Sequence, residues 1–440
     1  MTKKTNSTVR FMVSIVFAII LCLAMAVPAF ASDPPNPWSE SKTPDVDAEA
    51  VVTKVLQMPI GTTTPTIANP NEFVFEFTAV SLNDVEAKDV KDPVMPTIAD
   101  KKIAFSAADT GDESTGVKIV WKESTDFIAG IDWSGRAGEY VYKVTEKQNT
   151  YPIADAFKEQ MVYSKAEYEL VIYVDNKDNS EGVYVVAVVS KITKKDDGTA
   201  GGGGKGTPEP GGGEDHDYSQ AAFTNIYTKN NGGTNPTDTV LSVSKKVDGL
   251  GADQTKTFEF SIKVQDPAIG TKAGTYKAYV LNENNAVVTP LTGIAPSGSI
   301  KGTAPNQYIE FATNTPLTIN LKHNQRLSFI DLPVGAVFDV TEVTPTGYTA
   351  SYELTSYENN TPSAANTATS AGASLSIPAS QHIADKPINN VVDYLNVIDS
   401  SPITGVGMDN LPFVVLIIVL VGGIAGYAVF RTRRSARHSA

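Results

Sequence analysis

Cysteine and histidine are nearly absent from the sequence, and this restricts its chemistry. Its only cysteine, Cys22, lies in an apolar run that we expect to be removed, so the mature chain is predicted to lack disulfides, thiol nucleophiles and cysteine metal sites. Of the histidines, His438 is at the end of the chain, and His216, His323 and His382 have no repeated partner. We therefore predict no enzyme active site, no metal and no cofactor.

Positive charge is also scarce. The formal net charge is −13, and the lysines and arginines at the two ends belong to segments that we expect to be lost, so the part between them is more acidic still. Nucleic acid and anionic lipid both require a basic face, and neither is predicted as a partner. The stretch GGGGKG lacks the Ser or Thr that follows the lysine of a P-loop, and EDHD at 214–217 is interpreted as a solvated loop.

No long segment has a helical period of apolar residues. Alternating runs rich in Val, Thr, Tyr and Phe are separated by Gly, Pro, Asn and Asp clusters; the runs are FVFEFTAV, EYVYKV, YELVIYV, GVYVVAVV, FEFSIKV and AVFDVTEV. This pattern is typical of short antiparallel strands. It predicts an all-β chain of immunoglobulin-like β-sandwiches.

The N-terminus has the features of a secretory signal. Lys3, Lys4 and Arg10 precede an apolar run, and a small-x-small site ends at Ala31. The alternative, a first transmembrane helix, fits less well because DPPNP follows this site at once. We predict a mature chain that begins near Ser32.

The C-terminus combines a motif, an apolar span and arginines. SPITG at 401–405 precedes a span at 411–430 without a charge, and arginines follow it. This order resembles the sortase cell-wall sorting signal Leu-Pro-X-Thr-Gly, in which Pro402, Thr404 and Gly405 match and Ser401 replaces leucine. The resemblance implies sortase cleavage after Thr404; the alternative is a Pro-Gly turn before an ordinary membrane anchor.

One pattern occurs twice, which predicts two tandem domains. Each copy has a first strand with a lysine, a middle strand ending in Val-Thr-Glu and a last strand with aromatic-x-Asn. The first copy is 25 residues longer between its glutamate and its asparagine, and a glycine-rich insertion accounts for this. The predicted segments are a signal peptide 1–31, an N-terminal extension 32–47, a first domain 48–228 with the insertion at 194–217, a linker 229–239, a second domain 240–400, the motif 401–405, a transmembrane segment 411–430 and a basic tail 431–440.

Strand alternation places three polar residues of each copy on an apolar face. They are Lys54, Glu146 and Asn225 in the first copy and Lys245, Glu342 and Asn396 in the second. A buried unpaired charge is costly, so we expect the three residues of each copy to meet. They could form a buried ion pair with an asparagine cap, they could be three unrelated residues at strand edges, or they could react.

The reactive alternative follows from burial. Desolvation favours a neutral, nucleophilic lysine and a protonated glutamate that can shuttle protons. Held against an asparagine side chain, the amine can attack the amide carbon and release ammonia. The product would be a Lys–Asn isopeptide bond, formed once per molecule, with Glu146 and Glu342 in the catalytic role.

These residues and their order resemble the isopeptide-linkage domains of Gram-positive, sortase-assembled pilins, in the manner of a pilus backbone subunit. The resemblance implies crosslinks Lys54–Asn225 and Lys245–Asn396, and a secreted protein that is in the membrane only before sorting and then becomes part of a wall-anchored pilus. The implied partners are sortase and other copies of the chain, with minor pilins and peptidoglycan as further candidates. The alternative function is a wall-anchored adhesin or minor pilin that is not polymerised.

Polymerisation requires an accessible amine on the next subunit. Lys205 stands among glycines in the insertion, where a flexible backbone would give it reach. Lys191, Lys194 and Lys195 are competing candidates nearby, as are lysines in the linker and the N-terminal segment. We predict Lys205 as the inter-subunit lysine.

Overall fold

The computed structural model describes residues 38–398, except 44, 154–157, 179–180, 213–216, 271–274, 359–360, 364–365 and 386–388. These residues contain no α-helix, and two short 3-10 helices occur at Ala87–Asp89 and Pro210–Gly212. The all-β prediction is therefore confirmed. No helix in this part of the chain is long and apolar enough to cross a membrane, and the predicted span at 411–430 lies outside it.

The first sandwich is built from strands β1 to β13. Their bounds are β1 Trp38–Glu40, β2 Thr53–Pro59, β3 Phe73–Leu82, β4 Val85–Glu86, β5 Lys101–Ile103, β6 Asp112–Ser114, β7 Val117–Glu123, β8 Gly138–Glu146, β9 Glu159–Val162, β10 Glu167–Asn176, β11 Val183–Lys194, β12 Lys205–Gly206 and β13 Ala222–Gly232. One sheet has the order β1-β11-β10-β8-β3-β4, with β12 on β11 and β5 on β3; the other has the order β13-β2-β7-β6, with β9 on β13.

The second sandwich is built from strands β14 to β29. Their bounds are β14 Leu241–Asp248, β15 Phe258–Gln265, β16 Thr275–Leu281, β17 Ser299–Lys301, β18 Tyr308–Ala312, β19 Leu317–Leu321, β20 Gln325–Phe329, β21 Asp331–Pro333, β22 Val337–Val343, β23 Tyr348–Thr355, β24 Tyr357–Glu358, β25 Thr361–Pro362, β26 Asn366–Ala371, β27 Leu375–Ser376, β28 Gln381–His382 and β29 Asn390–Ile398. One sheet has the order β17-β18-β16-β20-β14-β29-β23-β26, and the other has the order β19-β15-β22-β27 with β28 on β22.

Each sandwich encloses its own apolar core between its sheets. In the first, the ring centroids of Phe75 on β3 and Phe223 on β13 are 5.0 Å apart across the core. In the second, Phe260 on β15 and Tyr394 on β29 form an edge-to-face pair at 5.2 Å. The inward residues alternate along these strands, as the sequence pattern predicts.

The strand directions differ from the expected antiparallel plan at one place in each sandwich. β13 is parallel to β2, and β29 is parallel to β14. In both cases the last strand of the pattern returns beside the first and runs in the same direction. This adjacency brings the lysine-bearing and asparagine-bearing strands into one sheet.

The segments predicted as an N-terminal extension and as a linker take part in the sheets. β1, within the extension, pairs with β11. β13 continues to Gly232, so the segment predicted as a linker at 229–239 begins inside a strand, and residues 230–232 of that strand pair with β21 of the second sandwich. The two sandwiches are therefore joined by continuous β-structure.

The described part of the glycine-rich insertion is a folded hairpin and not the flexible loop that the sequence predicts. Lys194 and Ala200 form a bridge, and β12 pairs with β11. Gly202 and Gly203 have positive φ angles of 71° and 74°, which a tight turn requires. A Cβ on Gly201 would lie 2.5 Å from the carbonyl oxygen of Ile192, so glycine there permits close packing of the backbone.

Candidate functional site

The first cluster of candidate residues lies between the two sheets of the first sandwich. Lys54 on β2 is in register with Phe223 on the parallel strand β13, and Asn225 is in register with Leu56. Lys54 and Asn225 are thus offset by two residues along adjacent strands, and their side chains point to the same face. Glu146, at the end of β8, comes from the facing sheet.

The carboxyl group of Glu146 bridges the two other side chains. Lys54 Nζ donates to Glu146 Oε2 at 2.9 Å, and Asn225 Nδ2 donates to Glu146 Oε1 at 2.7 Å. Lys54 Nζ also donates to the carbonyl oxygen of Phe223 at 2.9 Å and lies 4.8 Å from the ring centroid of Phe73. Lys54 and Asn225 are 0% exposed, so these bonds lie away from bulk solvent.

The second cluster repeats this arrangement. Lys245 on β14 and Asn396 on β29 have the same offset of two residues, because Val247 is in register with Asn396. Lys245 Nζ donates to Glu342 Oε1 at 2.6 Å, and Asn396 Nδ2 donates to the same oxygen at 2.8 Å. Here too the lysine lies over an aromatic ring, with Nζ 4.4 Å from the centroid of Phe258.

The two clusters differ in how the remaining oxygens are paired. In the first, Asn225 Oδ1 accepts a hydrogen bond from the backbone N–H of Ser164 at 2.6 Å. In the second, Glu342 Oε2 and Asn396 Oδ1 have no hydrogen-bond partner among the described residues. The first cluster is therefore the more completely hydrogen-bonded of the two.

Burial shifts the protonation equilibria of both pairs toward the neutral forms. Desolvation lowers the pKa of Lys54 and lowers the pKa of Lys245 to about 8, although the partner carboxylate opposes this in each case. Desolvation raises the pKa of Glu146 and of Glu342, against the opposing effect of the lysine. A neutral amine beside a protonated carboxyl is the state that nucleophilic attack on an amide requires.

The other candidate residues are not part of either cluster. Lys205 is exposed on β12, where it pairs with Lys191 of β11. No group of three or more His, Cys, Asp or Glu residues suited to a metal occurs in the described residues, which exclude three residues of the EDHD stretch. Pro402, Thr404 and Gly405 lie outside the described residues.

Sequence reasoning missed two features of the clusters. The rings of Phe73 and Phe258 occupy the first position of their strands, and the repeated Phe in FVFEF and FEFSI was a readable signal. The hydrogen bond from the backbone N–H of Ser164 could not be predicted from the sequence, because every non-proline residue has a backbone N–H.

Comparison with known proteins identifies one family model and several structural neighbours. A domain of unknown function (DUF7601) matches residues 239–376, and no curated protein matches the sequence. The major pilin of Streptococcus pyogenes is a structural neighbour, with a TM-score of 0.28 and 18% identity over 80% of this chain and 99% of that chain. A mutant of that pilin gives a TM-score of 0.30 and 17% identity, with the same coverage.

A pilus-presented adhesin, Spy0125 (Cpa), is a further neighbour. It has a TM-score of 0.22 and 17% identity, over 58% of this chain and 38% of that chain. These neighbours are of the class that the sequence resembles, Gram-positive pilin-type proteins.

Proposed function

We propose that the chain is a structural subunit of a covalently polymerised pilus on a Gram-positive cell surface, with each sandwich closed by a Lys–Asn isopeptide bond that its own residues form. The observation that carries the proposal is the repeated cluster. A lysine and an asparagine lie on adjacent parallel strands with the same offset, and a buried carboxyl group contacts both. A merely structural ion pair would not require the asparagine in both copies.

The reaction uses only these residues. The neutral amine of Lys54 or Lys245 attacks Cγ of Asn225 or Asn396, and a C–N bond forms. The glutamic acid takes the proton that the amine loses and delivers a proton to the leaving Nδ2. The C–Nδ2 bond breaks, ammonia leaves and the amide carbonyl re-forms. The glutamic acid ends as it began, and the bond forms once, so the protein is not a turnover enzyme.

The crosslinks would make each sandwich resistant to force and heat. The closed spans are 171 and 151 residues long, and a crosslink over such a span removes roughly 5 kcal/mol of unfolded-chain entropy by the model used for disulfides. Each bond joins two parallel strands that lie near opposite ends of the sequence of their sandwich, β2 with β13 in the first and β14 with β29 in the second. A pull on the two ends would therefore pass through the bond.

Assembly would occur at the C-terminus. A sortase cysteine would attack the carbonyl of Thr404 and release Gly405 with the following segment, and the acyl group would pass to an amine of another copy or of peptidoglycan. The sequence match at 402, 404 and 405 supports this step.

We expect the purified mature chain to weigh less than its sequence by two molecules of ammonia, one from each bond. The Glu146→Ala variant should be heavier by the mass of one ammonia than the substitution alone accounts for, because the bond in the first domain does not form without proton transfer. Glu342→Ala should retain the ammonia of the second domain for the same reason. Intact-mass spectrometry measures both. A wild-type mass equal to that of the plain sequence would falsify both bonds.

Thermal unfolding provides the second readout for these variants. Each replacement should lower the stability of its own domain and leave the other domain unchanged, since the cores are separate. Lys246→Ala is a matched control, because Lys246 follows Lys245 on β14 but is exposed on the opposite face. It should keep the full ammonia loss.

A further inference from the structure

The Ser164 amide contacts the atom of the first cluster that would become negatively charged during bond formation. Ser164 lies between β9 and β10, and its backbone N–H donates to Asn225 Oδ1 at 2.6 Å. Ser164 is 1% exposed and Asn225 is 0% exposed. When the Lys54 amine attacks Cγ, the electron pair of the C=O bond moves onto Oδ1, where this N–H already points.

Asp196, in the glycine-rich hairpin, holds the Ser164 segment against β13. Its Oδ1 atom accepts hydrogen bonds from Ser164 Oγ at 2.5 Å and from the backbone N–H of Thr224 at 2.9 Å. Its backbone carbonyl oxygen accepts from the N–H of Lys165 at 2.9 Å. One residue thus contacts both the residue that donates to Asn225 and the residue directly before Asn225.

We propose that the Ser164 backbone amide is the oxyanion donor of the first isopeptide site, and that Asp196 is the positioning residue that keeps it in place. This inference rests on the proposed function and assigns a role to the glycine-rich insertion. Preorganised donors at a developing oxyanion stabilise the transition state more than the ground state. The hydrogen bond to Oδ1 strengthens as the C–N bond forms and relaxes when the C–Nδ2 bond breaks and ammonia departs.

The second site provides an internal comparison. Asn396 Oδ1 has no hydrogen-bond partner within the described part of the chain. The first copy has the insertion, and the corresponding interval of the second copy is 25 residues shorter. The Lys54–Asn225 bond should therefore form faster than the Lys245–Asn396 bond in the same molecule.

The test follows both bonds after synthesis. The full chain is made in a cell-free system, samples are quenched in denaturant at successive times, and the two crosslinked peptides are measured separately by mass spectrometry. In Asp196→Ala we expect the first bond to form about 10-fold to 100-fold more slowly and the second at its wild-type rate. The range lies below the loss of roughly 10²–10³ seen when an oxyanion donor is removed, because here the donor is displaced and not deleted.

Two further variants separate positioning from other roles. Asp196→Asn keeps an acceptor oxygen for Ser164 and Thr224 without the charge, so it should restore most of the rate. Asp197→Ala alters the neighbouring carboxylate, which caps Thr199 on the same hairpin, and should leave the rate unchanged. If Asp196→Ala prevents folding of the first sandwich, Ser164→Ala replaces it as the test variant. This substitution removes the Oγ hydrogen bonds to Asp196 and from the backbone N–H of Ala166, keeps the backbone N–H of residue 164 and should slow the first bond.

The possible results distinguish a failure of the oxyanion assignment from a failure of the isopeptide proposal. A wild-type chain in which neither crosslink forms overturns the isopeptide proposal itself. If both crosslinks form and Asp196→Ala, correctly folded, links its first domain at the wild-type rate, the oxyanion assignment is overturned and the isopeptide proposal stands. Equal slowing in Asp196→Asn and Asp196→Ala would likewise overturn a positioning role.

Discussion

At the scale of single residues, ionising the glutamate costs more free energy in the second cluster than in the first. Glu342 Oε2 has no hydrogen-bond partner in the described residues, whereas both oxygens of Glu146 are bonded. A buried carboxylate oxygen without a partner is costly when the group is ionised. Transfer of the proton from Lys245 to Glu342 removes both charges, so the second pair is the better place to observe the neutral lysine.

This leads to a pH prediction for Asn396→Ala, which retains Lys245 and Glu342 but cannot form the crosslink. Burial lowers the pKa of Lys245 to about 8, while the unfolded chain keeps a value near 10.5. Between these pH values the unfolded state binds more protons, so the stability of the second domain should rise as the pH rises from 8 to 10.5. Melting temperatures measured across this window test the sign.

The control is the double variant Lys245→Met with Asn396→Ala, which lacks the titrating amine but has the same tyrosines and surface lysines otherwise. The rise should be absent from it, and the difference between the two melting curves isolates Lys245. A melting temperature of Asn396→Ala that falls relative to this control between pH 8 and pH 10.5 would contradict the assignment of a neutral lysine.

The residues of both clusters were predictable because alternation along a strand is a simple rule. Lys54, Glu146 and Asn225 each lie among buried apolar neighbours of the same parity. Alternation predicts the face of the sheet to which each side chain points, but it does not predict which strands pair. The parallel pairing of β13 with β2, which sets the offset of Lys54 and Asn225, depends on long-range chain return and could not be read from the local pattern.

At the scale of secondary-structure elements, β13 connects the two sandwiches through successive pairings. Its residues 222–226 pair with β2, residues 226–229 pair with β9, and residues 230–232 pair with β21 of the second sandwich.

The buried carboxylate of Asp385 lies at this junction. It accepts hydrogen bonds from the backbone N–H of Thr63 at 2.8 Å and forms an ion pair with Lys229 at 2.6 Å. This junction could not be predicted from the sequence, because the segment after β13, with Gly233 and Pro236, is typical of a linker.

We expect Asp385→Ala to weaken the junction. It leaves the Lys229 amine and the Thr63 N–H without this acceptor, and because the Lys229 side chain is partly exposed to water, we expect a loss of about 1–3 kcal/mol. Asp385→Asn keeps an oxygen that can accept from Thr63 and should have a smaller effect. Calorimetry measures the loss of stability, and small-angle X-ray scattering measures whether the two sandwiches move more freely. Unchanged scattering and melting in Asp385→Ala would show that the β13–β21 pairing is sufficient alone.

At the scale of the whole molecule, the features combine into a chain suited to carrying tension without disulfides. Each sandwich has its own proposed covalent closure, the junction contains continuous β-structure, and the net charge of −13 keeps the surface self-repelling. Such a unit needs one attachment point at each end to become a fibre. The C-terminal point is Thr404 in our proposal, and the other must be an amine elsewhere on the surface.

Lys205 has the properties that this amine requires, although for a different reason from the one that the sequence suggested. It is held in β12, on the edge of a sheet, and does not lie in a flexible loop. Within the described residues its side chain forms no hydrogen bond or ion pair, whereas Lys191 and Lys194 are paired with glutamates at 3.1 and 3.3 Å. An exposed and unpaired amine on an extended strand can enter an enzyme cleft without breaking other contacts.

The last prediction concerns Lys205→Arg, which keeps the positive charge but replaces the primary amine with a guanidinium that remains protonated. In cells that express sortase, we expect the high-mass ladder of wall extracts on denaturing gels to collapse to single subunits that end at Thr404. Lys191→Arg and Lys195→Arg are the matched controls on the same hairpin and should keep the ladder. The intramolecular ammonia loss should be unchanged in all three, since neither cluster contains these lysines.

A ladder that persists in Lys205→Arg and disappears in one of the controls would move the attachment point to that neighbour. A ladder that persists in all three would place it outside the hairpin, and single subunits already in the wild-type extract would favour the wall-anchored adhesin.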